Sequence, residues 1–317
     1  MSQRSSGRAS GRQPAFPSGE QVELRRGDQR AVVVEVGGGV RSYEVGDREV
    51  LQPYAVDAMC DGAHGAPLIP WPNRLGDGRY SWDGTDYQVP LTEPEKGNAI
   101  HGLMRWRSWT TSQRSDERVV MAAHLRPMQG YPFALDLEVT YELGDEGLTV
   151  MTTATNVADT ACPYGHGQHP YLSPGAGQVL DDCTFHLDAQ TRVEVDDERQ
   201  LPTGRVPVAD SPYDFRSPRS LGELRIDYAF TDLSRDDAGR AWMRLTGPDG
   251  GEVGLWVDEH YPYLEVFTGD TLAPARRRRG LGGEPMTCPP NALATGEQVL
   301  RLEPGDVVTT TWGVRLL

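Results

Sequence analysis

Short runs of alternating polar and apolar residues, each closed by glycine, proline or an Asp-Gly turn, constrain this chain more than any other feature. The clearest is Arg79–Val89, RYSWDGTDYQV, in which two aromatic, alternating arms flank Asp83-Gly84. That is the sequence signature of a β-hairpin with a type I′ turn. Leu135, Leu137, Val139 and Tyr141 alternate with Asp136, Glu138, Thr140 and Glu142, which predicts a strand with one buried and one wet face. Gly144–Gly147 then turns the chain into Leu148–Asn156. Ala31–Val36 is β-branched and is turned by Gly37–Gly39 into Val40–Val45. Further strands are expected at Cys183–Leu187, Arg192–Val195, Ala241–Leu245, Val253–Val257, Tyr263–Thr268, Val299–Leu302 and Val307–Leu316. No stretch reads as an amphipathic helix of ordinary length, and 36 glycines and 24 prolines disfavour long ones. Many strands at short intervals indicate an all-β chain, a large antiparallel β-sandwich. Residues 20–317 read as one domain, because no repeat or linker divides them. Residues 1–19, rich in Ser, Gly and Arg, read as a disordered tail.

A net charge of −15 argues against nucleic-acid partners, whose phosphates it would repel. No apolar run approaches the ~20 residues of a membrane span, and the N-terminus lacks the apolar core of a secretory signal. Cys60, Cys162, Cys183 and Cys288 are scattered without zinc spacing, so reduced thiols and a cytoplasmic location are expected.

Five stretches carry side chains suited to chemistry. Cys162–Leu172, CPYGHGQHPYL, presents His166 and His169 in a segment whose glycines and proline forbid helix. Taken alone it favours a structural histidine. Gly65–Gly76 presents Asn73 and Arg74 from a proline-stiffened segment, and arginine is a five-donor fork suited to hydroxyls; alone, it reads as a surface arginine. Gly97–Gly102 places His101 between glycines near Trp106 and Trp109, a pairing of polar and aromatic groups that suits a sugar but equally a turn histidine beside core tryptophans. Ile226–Leu233 sets Asp227 among apolar residues, where a carboxylate needs hydrogen bonds, although loops also use Asp to hold their own backbone. Leu281–Ala292, LGGEPMTCPPNA, reads as a stiff irregular segment offering Glu284. The Arg276–Arg279 run reads as a solvated loop. No acidic or cysteine partner completes a metal site around His166 and His169, so no metal is expected.

With these pieces in order, the chain resembles the aldose 1-epimerase (galactose mutarotase) family, in a bacterial branch. The resemblance runs through PWPNRLGDGRYSWDG, NAIHG, NVADTACPYGHGQHPYL, IDYAFTDL, YLEVFTGD, LGGEPMTCPPNA and LEPGD. It implies a mutarotase-like supersandwich and interconversion of the α and β anomers of free aldohexoses such as glucose or galactose. It implies Glu284 as base and His169 as acid, with Arg74, His101 and Asp227 as substrate contacts and Asn73 beside them. Glu265, on the preceding strand, is the second choice of base. No cofactor is implied, and the partner is a small sugar bound by a monomer or homodimer. Two alternatives accompany this reading: a hexose-phosphate mutarotase gripping phosphate through Arg276–Arg279, and a non-catalytic sugar-binding module. Free glutamate and histidine titrate near ~4.3 and ~6.5, so unperturbed side chains predict an acid limb set by Glu284 and an alkaline limb set by His169.

Overall fold

The expected hairpin forms as read. Arg79–Trp82 pairs in register with Thr85–Gln88, and Asp83 and Gly84 both take positive φ, 47° and 77°, the two left-handed residues that a type I′ turn requires. The computed structural model describes residues 16–317. Most of the expected tail, residues 1–15, lies outside the described residues. Phe16–Gly19 depart from that expectation: Ser18 is buried, and its carbonyl accepts the Val36 N–H at 3.0 Å.

Two large antiparallel sheets dominate. The first has twelve strands, and its path runs Gln21–Arg26, Gln29–Val34, Val40–Val45, Arg48–Leu51, Tyr171–Leu172, Leu281–Met286, Tyr263–Phe267, Asp227–Leu233, Ala189–Val195 and Pro202–Pro207. Gly167–Gln168 and Pro67–Leu68 join it from the side. The second has nine strands, in the order Thr110–Arg114, Arg118–Leu125, Leu135–Gly144, Gly147–Asn156, Val307–Leu316, Glu252–Val257, Ala241–Thr246, Thr184–Leu187 and Arg219–Ser220. Apolar side chains of both sheets belong to one buried cluster, in which Leu135, Leu137, Val139 and Tyr141 take part as their period of two predicts. Among the described residues the one α-helix is the single turn Ala292–Thr295. All four cysteines are buried and free.

Two segments differ from the reading by sequence. Leu281–Met286 is not an irregular loop but a strand, buried at every position, between Tyr171–Leu172 and Tyr263–Phe267. Pro285 is tolerated there, and the two glycines before Glu284 answer close packing: a Cβ on Gly283 would lie 2.6 Å from the Met243 sulfur. Asp227 likewise opens a strand, Asp227–Leu233, rather than sitting in a loop. The side chains in question therefore stand on the sheet itself, which holds them more rigidly than loops would.

Candidate active site

The register of four adjacent strands builds the floor of a cleft. Tyr171 faces Gly282, Gly282 faces Phe267, and Phe267 faces Asp227. Two residues along, Glu284 faces Glu265, and Glu265 faces Ala229. Positions two apart share a face of a strand, so Asp227, Phe267, Glu265 and Glu284 all rise from one side. Continuing the antiparallel register from Tyr171 and Gly282 brings His169 opposite Glu284. The Gly283 N–H to Pro170 carbonyl bond, 3.0 Å, holds that alignment. A Cβ on Gly282 would sit 3.1 Å from Phe267 Cβ and 3.4 Å from His169 Cε1, closer packing than side chains ordinarily accept.

The outcome is a direct contact: His169 Nε2 and Glu284 Oε1 are 3.0 Å apart, and both residues are buried. Tyr171 stacks on the His169 ring, centroids 4.8 Å apart, and His64 stacks on the far face of Tyr171 at 4.5 Å. His101 meets His169 edge-on at 5.3 Å. The imidazoles of His101 and His169 and the Glu284 carboxylate offer atoms that all lie within 4.8 Å of one another. Two imidazoles and a carboxylate are the donor types of a zinc site.

The wall comes from the short ladder Arg74–Gly76 with Asn98–Ile100. Asn73 and His101 flank it, both with left-handed φ, 52° and 61°, and the His101 N–H donates to the Asn73 carbonyl at 2.9 Å. Non-glycine residues in this region store strain of the kind that collects at functional sites. Asn73 Oδ1 accepts the Arg74 N–H at 2.7 Å, so the side chain is engaged by its own backbone. The Arg74 guanidinium is held by Glu93, with Nε–Oε2 at 3.0 Å and Nη2–Oε1 at 3.2 Å, and its Nη2 lies 3.8 Å from Asp227. Asp227 also accepts from Gln200 Nε2 at 2.8 Å.

Arg74, His101, His169, Asp227, Glu284 and Asn73 thus line one cavity of about 320 Å³. His166 is not there. It is buried between the sheets, where its Nε2 meets Thr310 Oγ1 at 2.7 Å and the Tyr261 hydroxyl at 3.1 Å. Trp106 and Trp109 do not line it either. Trp109 belongs to the core and Trp106 faces solvent. The aromatic walls are instead Tyr171 and Phe267. Glu93 and Arg105 also line the cleft unannounced by any local pattern. Three of the four arginines in Arg276–Arg279 tie loops together. Arg276 reaches the Asp61 carbonyl at 3.0 Å, Arg278 bridges Asp181 and Asp270, and Arg279 donates to the Gly177 carbonyl at 2.7 Å.

Burial sets the protonation of the site. It pushes His169 down to about 3 and His101 well below the usual imidazole range, with the neighbouring His169 charge adding to the latter. Burial, then the Asp227 charge, pushes Glu284 well above the usual carboxylate range. Glu265 goes the same way, from burial and then the charges of Asp227 and Glu284. Like charges directly across a sheet repel, so the Glu265–Glu284 pair favours protonation of at least one member. For His169 and Glu284 the order of titration is the reverse of that expected from free side chains, because burial disfavours both charged forms.

The model of the aldose 1-epimerase family matches residues 20–314. Over 291 residues the chain is 36% identical to the uncharacterized protein YihR of Escherichia coli K12, covering 91% of this chain and 90% of that one. It is 29% identical to the human galactose mutarotase, over 67% of this chain and 66% of that one. In three dimensions it superimposes on the GalM/aldose epimerase homologue from C. elegans with a TM-score of 0.83 at 19% identity, over 94% of this chain and 98% of that one.

Proposed function

Because the chain belongs to the aldose 1-epimerase family, we propose that it interconverts the α and β anomers of free aldohexoses such as glucose or galactose by acid–base ring opening and closure. The observation that carries this reading is the His169–Glu284 contact of 3.0 Å on the floor of a polar cleft. In a cyclic aldose the anomeric hydroxyl and the ring oxygen are both bonded to C1. An acid and a base 3.0 Å apart can therefore address both.

Glu284 takes the proton of the anomeric hydroxyl as His169 gives one to the ring oxygen. The C1–ring-oxygen bond breaks and C1 becomes an aldehyde. Rotation about C1–C2 turns the other carbonyl face to the ring oxygen, and closure runs the two transfers backwards. The proton count is neutral, so no group outside the pair has to supply or remove a proton. The competent form, with Glu284 ionised and His169 protonated, is a tautomer of a pair that holds one proton. Burial favours the other tautomer, with the proton on Glu284, but moving it between partners 3.0 Å apart requires no exchange with solvent. Positioned acid–base groups contribute ~10²–10⁴-fold, a useful share for a reaction that already proceeds in water. Arg74, His101 and Asp227 hold the hydroxyls. Held to Glu93, the Arg74 fork is aimed before sugar arrives, which lowers the ordering cost of binding.

Polarimetry or anomeric NMR on freshly dissolved α-glucose and α-galactose tests the reading. Acceleration by the protein, lost in Glu284→Gln, is the expected result. No acceleration with either sugar would leave a binding module in its place.

A further inference from the structure

Neither His64 nor Arg276 lines the cleft, yet both are tied to it through one row of rings. His64 is buried. Its ring lies on Tyr171, with centroids 4.5 Å apart and planes 23° apart, and Tyr171 lies in turn on His169, at 4.8 Å and 17°. Tyr54 meets His64 edge-on at 5.2 Å.

The first two rings of the row are pinned by polar contacts. A carbonyl can only accept, so His64 Nε2 donates to the Gln52 carbonyl, at 2.6 Å, and its Nδ1 is left to accept from the Arg276 guanidinium. Burial, then the Arg276 charge, holds His64 down to about 3, so at neutral pH the ring is uncharged and keeps both bonds. Arg276 is itself anchored on the Asp61 carbonyl at 3.0 Å. The Tyr171 hydroxyl donates to the Gly62 carbonyl at 2.9 Å.

His169 is held differently. An imidazole that moves protons is ordinarily oriented by a hydrogen bond on its other nitrogen. His169 meets Glu284 through Nε2, and its buried Nδ1 has no hydrogen-bond partner among the described residues. The plane of the ring is therefore set by what lies against its face, which is Tyr171. Tyr171 needs backing of its own. Its hydroxyl lies on the axis about which the ring turns, so the bond to Gly62 fixes the tip and leaves that rotation free. His64, on the far face, blocks it.

We propose that His64, clamped by Gln52 and Arg276, is a positioning residue for His169: it backs the Tyr171 ring, and Tyr171 sets the plane in which His169 exchanges its proton. Arg276, the first residue of the Arg276–Arg279 run, thereby serves the reaction from outside the cleft. This rests on the acid role given to His169 above.

The test is a double-mutant cycle on the full chain, with glucose and galactose as substrates. At a temperature where circular dichroism shows it folded, His64→Ala should lower kcat by ~10–100-fold, the cost of a misplaced group, with KM close to the parent value. His64→Phe, which restores a flat ring, should recover most of the loss. Arg276→Met, which frees one side of His64, should show a smaller fall of the same kind. In a His169→Asn background neither His64→Ala nor Arg276→Met should cost anything further, because both act through the His169 ring. Equal losses in the two backgrounds would overturn the proposal, and so would a loss carried by KM or a His64→Phe protein no better than His64→Ala. Should His64→Ala fail to fold, Arg276→Met in the two backgrounds decides alone. If the unaltered protein turns over no sugar, the acid role of His169 fails, and NMR of histidine-labelled protein decides the positioning separately. A His169 ring signal that shifts in Arg276→Met supports it, and an unmoved signal overturns it.

Discussion

The two sheets do different work with the same strand geometry. In the nine-stranded sheet, Leu135–Gly144, Gly147–Asn156 and Val307–Leu316 are ten residues each and bury Leu137, Val139, Leu148, Val150, Trp312 and Val314 in the shared core. In the twelve-stranded sheet, the strands around Glu284 are short, from two to seven residues, and they bury Glu265 and Glu284, with His169 beside them. One oxygen of each glutamate and one nitrogen of the His169 ring lack a partner. Buried polar atoms left unpaired cost stability. The nine-stranded sheet buries apolar side chains, and the twelve-stranded sheet gives up part of the resulting stability to hold buried titratable groups with unpaired polar atoms.

If that division holds, activity and stability separate by sheet. The largest expected effect is Glu284→Gln, which keeps shape and removes the base. Its kcat should fall by ~10²–10⁴-fold with no loss in thermal midpoint, since a buried carboxyl facing Glu265 is removed. Near-normal turnover would exclude Glu284 as the base and move attention to Glu265. The mirror experiment is Leu148→Ala in the other sheet. Leu148 is fully buried, and such truncations cost about 2–5 kcal/mol, read by denaturant unfolding. Its kcat should match the parent at temperatures where it remains folded.

A third test uses pH. With His169 held down to about 3 and Glu284 pushed well above the carboxylate range, both by burial, the singly protonated pair persists across neutral pH. The kcat/KM profile should be a broad bell. Its acid limb marks addition of the second proton, formally on His169, and its alkaline limb marks loss of the one shared proton, formally from Glu284. The values belong to the pair. Imidazole carbon NMR should show His169 neutral from pH 5 to 8, and a titration near ~6.5 would restore the order of free side chains.

The smallest effect is at Glu265. A carboxyl whose folded value is raised contributes stability that is complete below the unfolded value, ~4.3, and is lost as pH rises through the folded value. Glu265 is raised by burial, Asp227 and Glu284, so the parent should lose thermal stability toward alkaline pH and Glu265→Gln should lose less. Equal slopes would show that Glu265 is already ionised in the fold.

The hairpin, the alternating strands and the sandwich were legible because each rests on local chemistry: a period of two and residues that accept positive φ at turns. The His169 and Glu284 roles came from resemblance, as neither stretch has a periodic pattern. What local reading misassigned was conformation. LGGEP looked irregular because glycine and proline usually interrupt strands, and only neighbours such as Met243 and His169, distant in sequence, make glycine the residue that fits there. Phe267 could have been found, standing two residues from Glu265 on the same strand face. Glu93 could not, since an acidic residue in TEPEK is indistinguishable from a solvated one until Arg74, nineteen residues away, is folded against it. The sequence by itself determined strand, turn and the sheet class, because those depend on neighbours along the chain. The tertiary structure decided which of two nearby histidines meets a carboxylate and which way the pair's protons lie, because contact and burial depend on strands that pair across more than a hundred residues.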